Sequence, residues 1–202
     1  MSKFITIEGC EGVGKSTQIT LLKEHFANTS KQILFTREPG GSRVSEKIRG
    51  IILDKENAAL SYECEALLYA AARAQLLREV IIPARAAGKS VICDRFIHSS
   101  FAYQGYARGL TFPFIEKINA FALSNMPDLT IFLDLPPESA FKRKGGIDQH
   151  DRLELSGSEF HQKVYEGYKK VLKTYPRIVS IDASGSVAQT HKKILERIEC
   201  LL

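Results

Sequence analysis

Short, nearly all-apolar runs alternate along the chain with longer segments in which apolar residues recur every three or four positions. Residues 4–8, 32–36, 90–93, 129–135 and 178–181 are of the first kind, and read as strands covered on both faces. Residues 15–27, 44–53, 114–124, 137–144, 158–174 and 186–202 are of the second kind and read as helices. Ser61 opens a longer helix, with Glu63 and Glu65 acidic near its start and Gly88 at its end. Strands alternating with helices predict an α/β fold, a five-stranded parallel sheet with helices on both faces. Such a sheet lines up its strand C-termini along one edge, where ligands of these folds sit. The residues just after each strand are therefore where chemistry should be sought.

The length of 202 residues, with no internal repeat, gives one domain over 1–202. Apolar residues at 44% and charged residues at 25% exclude a disordered, collagen-like or coiled-coil chain. No run approaches the ~18–20 apolar residues of a membrane span. The N-terminus lacks the apolar region of a secretory signal, so a cytoplasmic protein is expected. Cys10, Cys64, Cys93 and Cys200 form no C-x-x-C pair, which argues against a zinc site or a disulfide framework. The net charge of +5 suggests an anionic partner: nucleic acid, a membrane surface or a small phosphorylated substrate. Composition does not choose among these.

The first strand runs into Gly9-Cys10-Glu11-Gly12-Val13-Gly14-Lys15-Ser16-Thr17. This is G-x-x-x-x-G-K-[ST] with a strand before it and a helix after it, a phosphate-binding loop. Its glycines let the backbone curl so that several N–H groups point at one anion, and the helix start adds its positive dipole end. Lys15 supplies a point charge for the outer phosphates, and the Ser16 hydroxyl suits Mg²⁺. No Asn is followed by Lys, so the guanine loop of a switch GTPase is missing. Strand two ends in Arg37-Glu38-Pro39 and strand three in Asp94-Arg95-Phe96, each bringing an arginine and a carboxylate to the ligand edge. A guanidinium there matches phosphate, although an internal salt bridge is the alternative. Asp94 stands where a carboxylate would hold Mg²⁺ through water. Tyr69 and Arg73 share a helix face, and spacing alone favours a core tyrosine with an exposed arginine. Residues 142–152 carry Lys142, Arg143, Lys144 and Arg152 around two glycines, either a basic lid or a solvated loop.

Together with Thr36-Arg37-Glu38-Pro39-Gly40-Gly41, Tyr69-x-x-x-Arg73, Asp94-Arg95-Phe96 and Ser99-Ser100-x-Ala102-Tyr103-Gln104-Gly105, the loop resembles the thymidylate kinases of the bacterial type, over nearly the whole chain. The resemblance implies a P-loop NTPase fold with a short basic lid at about 142–154. It implies transfer of the γ-phosphoryl of ATP to dTMP with Mg²⁺, held by Ser16 and Asp94. ATP would lie on residues 9–17 and on an adenine loop at Asp182 and Ala183. Arg95 would hold the dTMP phosphate with Arg49, and Glu11 would face the sugar. Tyr69, in place of the family's usual phenylalanine, would stack on the base, with Glu38 and Pro39 lining its pocket. Arg73 would donate to O4, Ser99, Ser100 and Gln104 would meet the nucleotide, and Tyr103 would crowd the sugar. An arginine donor at O4 favours thymine or uracil over cytosine, whose amino group would set donor against donor. Gly12 replaces the arginine of the eukaryotic type, so a lid arginine, Arg143 or Arg152, would be catalytic beside Lys15, Arg95 and Glu11. Gly145, Gly146 and Ile147 depart from the arginines often found in the bacterial lid. The family is usually homodimeric, and no nucleic acid or membrane partner is implied. A kinase for a different nucleoside monophosphate or nucleoside, and a non-catalytic P-loop module or nucleic-acid-binding protein, are the competing readings.

Overall fold

Strand β1 (Phe4–Glu8) is buried along its whole length. In this computed structural model, which describes residues 1–145, 152–153 and 156–202, β1 lies at the centre of a parallel sheet. Around it are β2 (Ile33–Arg37), β3 (Ser90–Asp94), β4 (Leu129–Asp134) and β5 (Ile178–Asp182), in the order β2-β3-β1-β4-β5. Ile7 pairs with Asp94, Arg37 with Asp94, and Asp134 with Asp182, so the strand ends form one edge. Every strand finishes on a charged residue: Glu8, Arg37, Asp94, Asp134 or Asp182. The predicted strands recur within a residue or two.

Strand side chains alternate between faces. Ile5, Ile7 and Ile92 enter one core with Leu22 and Phe26 of α1 (Lys15–Ala27) and Ile194 and Ile198 of α10 (Val187–Glu199). Phe4, Val91 and Cys93 enter a second core with Leu76, Leu77 and Ile81. The same parity sends Thr6 and Glu8 of β1 to the side of Phe4, where the Thr6 hydroxyl lies 2.9 Å from that of Thr130. Helices therefore cover both faces of the sheet.

The long helix expected after Ser61 begins there: the Ser61 hydroxyl accepts from the Cys64 N–H at 3.2 Å. It runs as α3 (Tyr62–Leu76), a π-helical turn at Leu77–Ile81, and α4 (Ile82–Ala86). Pro83 has no N–H for the carbonyl of residue 79 and crowds it, and the wider turn takes up that misfit. A second π-helical segment, Phe101–Ala107, continues α5 (Ile97–Ser100), the helix that follows β3. The helix expected over 114–124 is divided into α6 (Phe112–Ile118) and α7 (Ala120–Leu123). Helices α2 (Arg43–Leu53), α8 (Pro137–Lys144) and α9 (Gly157–Thr174) match their predicted segments. Most of the expected lid at 142–154, including Gly146 and Ile147, lies outside the described residues. Among the described residues no helix is long and apolar enough to cross a membrane.

Candidate active site

The phosphate loop leaves β1 at the middle of the edge. Gly14 caps α1 in the left-handed region at φ 95°, where a residue with a Cβ is strained. A Cβ on Gly9 would stand 2.9 Å from Val13 Cγ2 and 3.1 Å from the Leu133 carbonyl oxygen, so the loop closes on β4 only with glycine there. Lys15 is folded into the loop it serves. Its Nζ donates to the carbonyls of Gly9 at 2.9 Å and Cys10 at 2.8 Å. Burial, then the charge of Arg95, lowers its ammonium below the usual range. Ser16 is exposed in the first turn of α1, and Asp94 Oδ1 is buried with no hydrogen-bond partner among the described residues.

Arg95 adopts a left-handed backbone at φ 66°, a conformation that costs roughly 1–3 kcal/mol for such a residue. Its guanidinium is held from three sides: Nη2 donates to Glu11 Oε1 at 2.7 Å, and Nη1 to Ser99 Oγ at 3.2 Å and Tyr168 Oη at 3.1 Å. It also lies over the Tyr103 ring, 5.1 Å from the centroid. Burial would raise the Glu11 carboxyl, but Arg95 and then Lys15 overcome it and hold the group at about 2. Behind Arg95 stands Glu8, fully buried. It accepts from the Phe96 N–H at 2.7 Å, Ser99 Oγ at 2.6 Å and Tyr168 Oη at 2.8 Å. Burial raises the Glu8 carboxyl above its ordinary value although Arg95 and these donors oppose it.

Arg73 is 2% exposed, the reverse of what its spacing from Tyr69 suggests; Tyr69 is the half-buried partner. Its Nε donates to Glu38 Oε2 at 2.7 Å, Nη1 to Asn119 Oδ1 at 2.7 Å, and Nη2 to Ser100 Oγ at 3.0 Å. With the Phe96 carbonyl 3.3 Å from Nη2 as a fourth partner, this polar support lets a charge stay buried. Burial pushes the Glu38 carboxyl up to about 7, with Arg73 pulling the other way. Arg49 Nη1 donates to the Pro39 carbonyl at 2.9 Å. Arg37 takes the internal alternative, an ion pair with both oxygens of Glu46 at 2.9 and 3.0 Å.

A cleft of about 510 Å³ joins these groups. Residues 11–17 line one end, with Arg143 and with Val187 and Thr190 of α10; Tyr69, Arg73, Ser100 and Gln104 line the other, with Arg95, Ser99 and Tyr103 between. Glu38, Pro39, Arg49 and Asp94 also reach it. Gly9, Cys10, Asp182 and Ala183 do not line it, though Arg143 Nη2 binds the carbonyls of Ala183 at 2.8 Å and Ser184 at 3.1 Å. Arg152 is not brought to the cleft. It is buried, with Nη2 2.5 Å from Glu65 Oε2 and Nε on the Ile52 carbonyl at 3.0 Å. A carboxylate and a carbonyl thus hold Nε and Nη2 away from the cleft lining. The sequence reading also missed Glu8 and Tyr168 as supports of Arg95. The signals for Glu8 were a charge ending an otherwise apolar strand and its place at the head of the phosphate-loop motif.

A cleft with a phosphate-loop motif at one end and the Arg95 guanidinium beside it has positive charge at two places along its length. The family model for thymidylate kinase matches residues 7–194. The thymidylate kinase of Caldanaerobacter subterraneus subsp. tengcongensis is 47% identical over 199 residues, 98% of this chain and 95% of that protein. That of Finegoldia magna is 46% identical over 194 residues, 96% of each chain. That of Shouchella clausii is 44% identical over 203 residues, 98% of this chain and 95% of its own. Likeness that runs from β1 into the last helix, through the phosphate-loop motif and the cleft beside it, makes this chain a member of the thymidylate kinase family.

Proposed function

We propose that this kinase transfers the γ-phosphoryl group of ATP to the 5′-phosphate of dTMP, giving ADP and dTDP. The observation that carries this is the single cleft in which Lys15 and the phosphate loop face Arg95 and Arg73. ATP takes the end lined by residues 11–17, its adenine toward the loop after β5 that Arg143 binds. Lys15 leaves the Gly9 and Cys10 carbonyls for the phosphates. Arg95, pre-set by Glu11, Ser99 and Tyr168, holds the monophosphate with Arg49. The base lies beside Tyr69, Pro39 and Glu38; Arg73 donates to O4, and Ser100 and Gln104 meet its edge. Tyr103 and Glu11 flank the sugar.

The chain's task is positioning and charge neutralisation, because two anions must meet in line. Of the two arginines near the lid, Arg143 lines the cleft and takes the role beside the transferred group. The Asp94 carboxylate oxygen, buried without a partner among the described residues, and the exposed Ser16 hydroxyl are hard oxygen donors that fit Mg²⁺ and would hold it. When bound, the ion neutralises charge on the β- and γ-phosphates. We place the reaction in the cytoplasm and take the enzyme as a homodimer pairing its long helices. Ile51 on α2 and Leu67 on α3, both about half exposed, support a free apolar face there.

The test is ADP release with ATP, Mg²⁺ and a panel of nucleoside monophosphates. Turnover should require dTMP, and Lys15→Ala and Arg95→Ala should be nearly inactive. Turnover with another monophosphate and none with dTMP would refute the assignment.

A further inference from the structure

Glu65 lies in α3, fully buried, and does not line the cleft. Its carboxylate divides its acceptors. Oε2 takes Arg152 Nη2 at 2.5 Å, while Oε1 takes Gln104 Nε2 at 2.8 Å and lies 3.5 Å from Arg108 Nε. Gln104 is itself buried and lines the base end of the cleft. A glutamine amide has a donor end and an acceptor end that are nearly equal in shape, and its neighbours decide which faces a ligand. A carboxylate paired with guanidiniums accepts hydrogen bonds and gives none. Gln104 must therefore turn its NH₂ toward Glu65 and its carbonyl oxygen toward the base.

We infer that Glu65 is a specificity-determining positioning residue: it fixes the Gln104 amide so that the cleft presents an acceptor beside the Arg73 donor. The inference rests on the dTMP reading above and deepens it. Thymine offers the matching pair, an O4 acceptor and an N3–H donor. Cytosine offers the opposite pair at the same two atoms and meets two mismatches. Arg152 shares the task, because its charge holds one carboxylate oxygen and leaves the other for Gln104.

Glu65→Gln reverses the arrangement at constant shape. The charged Arg152 keeps the new amide's oxygen, since charge-assisted bonds are the stronger. The NH₂ of residue 65 then faces Gln104, which must flip and put its own NH₂ toward the base. KM for dTMP should rise on the order of 10- to 100-fold, with a smaller change in kcat. The dTMP-to-dCMP ratio of kcat/KM should fall by a similar factor. In the double variant Glu65→Gln, Gln104→Glu, residue 65 donates to a carboxylate whose second oxygen faces the base, and the ratio should recover.

The experiment measures both substrates on the parent and both variants, with thermal unfolding alongside. A folded Glu65→Gln protein whose dTMP KM and substrate ratio stay within about twofold of the parent overturns the inference. So does loss of activity toward both substrates that the double variant leaves unrepaired, which would mark Glu65 as structural only. Should Glu65→Gln fail to fold, the ratio in the double variant decides: parent-like discrimination supports the inference and its loss overturns it. A parent enzyme that ignores dTMP fails the functional reading first, and takes this inference with it.

Discussion

Tyr168→Phe probes the support of Arg95 without touching the cleft lining. The substitution keeps a ring that packs 4.9 Å from Phe132 and removes one hydroxyl. That hydroxyl donates to Glu8 Oε2 at 2.8 Å, accepts from Arg95 Nη1 at 3.1 Å and lies 2.8 Å from Ser99 Oγ. A hydrogen bond to a charged group contributes about 1.5–3 kcal/mol. Glu8 keeps the Phe96 N–H and Ser99 Oγ, so it is not left bare, and a loss of about 2 kcal/mol follows. For a chain of this length each kcal/mol moves the unfolding midpoint by roughly 2–4 °C. Circular dichroism melts at neutral pH should therefore show a midpoint lower by about 4–8 °C. Arg95 retains Glu11 and Ser99, so KM for dTMP should rise only about 2- to 10-fold, with kcat less affected. A midpoint unchanged within about a degree would refute the view that this hydroxyl ties α9 to the strand-end carboxylate.

Gly41 has φ 79°, and a Cβ there would meet Thr36 Oγ1 and, at 2.8 Å, Leu76 Cδ1. Gly109, at φ 80°, has nothing among the described residues within 4 Å of the same atom. Gly109→Ala should cost about 1–2 kcal/mol in urea unfolding and Gly41→Ala at least about 1 kcal/mol more; equal losses would show that the contact does not matter. Glu38 gives a pH signature. Its folded carboxyl, raised by burial to about 7 from an ordinary 4.5, binds its proton more tightly than the unfolded one. The stability linked to it is fully present below about pH 4.5 and is lost as the pH rises through about 7. Glu38→Gln should flatten that part of the urea midpoint-against-pH curve, and a slope equal to the parent's would refute the assignment.

Much of the architecture was legible because it is written in short-range pattern. A mostly apolar run, Phe4 to Ile7, closed by Glu8, then a glycine-rich turn, then Lys15 opening a helix, reads as strand–loop–helix from local pattern. The family motifs carried the site in the same way, since each is a contiguous stretch at the end of a strand or along one helix face. The π-helical turn before Pro83 was not legible, because the helical period does not record an inserted residue.

What the chain alone could not decide was which charge meets which. Arg73 finds Glu38, Asn119 and Ser100 at separations of 35, 46 and 27 residues, and Arg152 finds Glu65 at 87. A buried arginine and a solvated one have the same letter and the same local spacing. Sequence therefore left Arg73 looking exposed and Arg152 looking free for a lid. The sheet order settles these pairings: it sets the ends of β1, β2 and β3 side by side and brings α3 and α9 against them, and only there does desolvation make one partner for each charge far better than water.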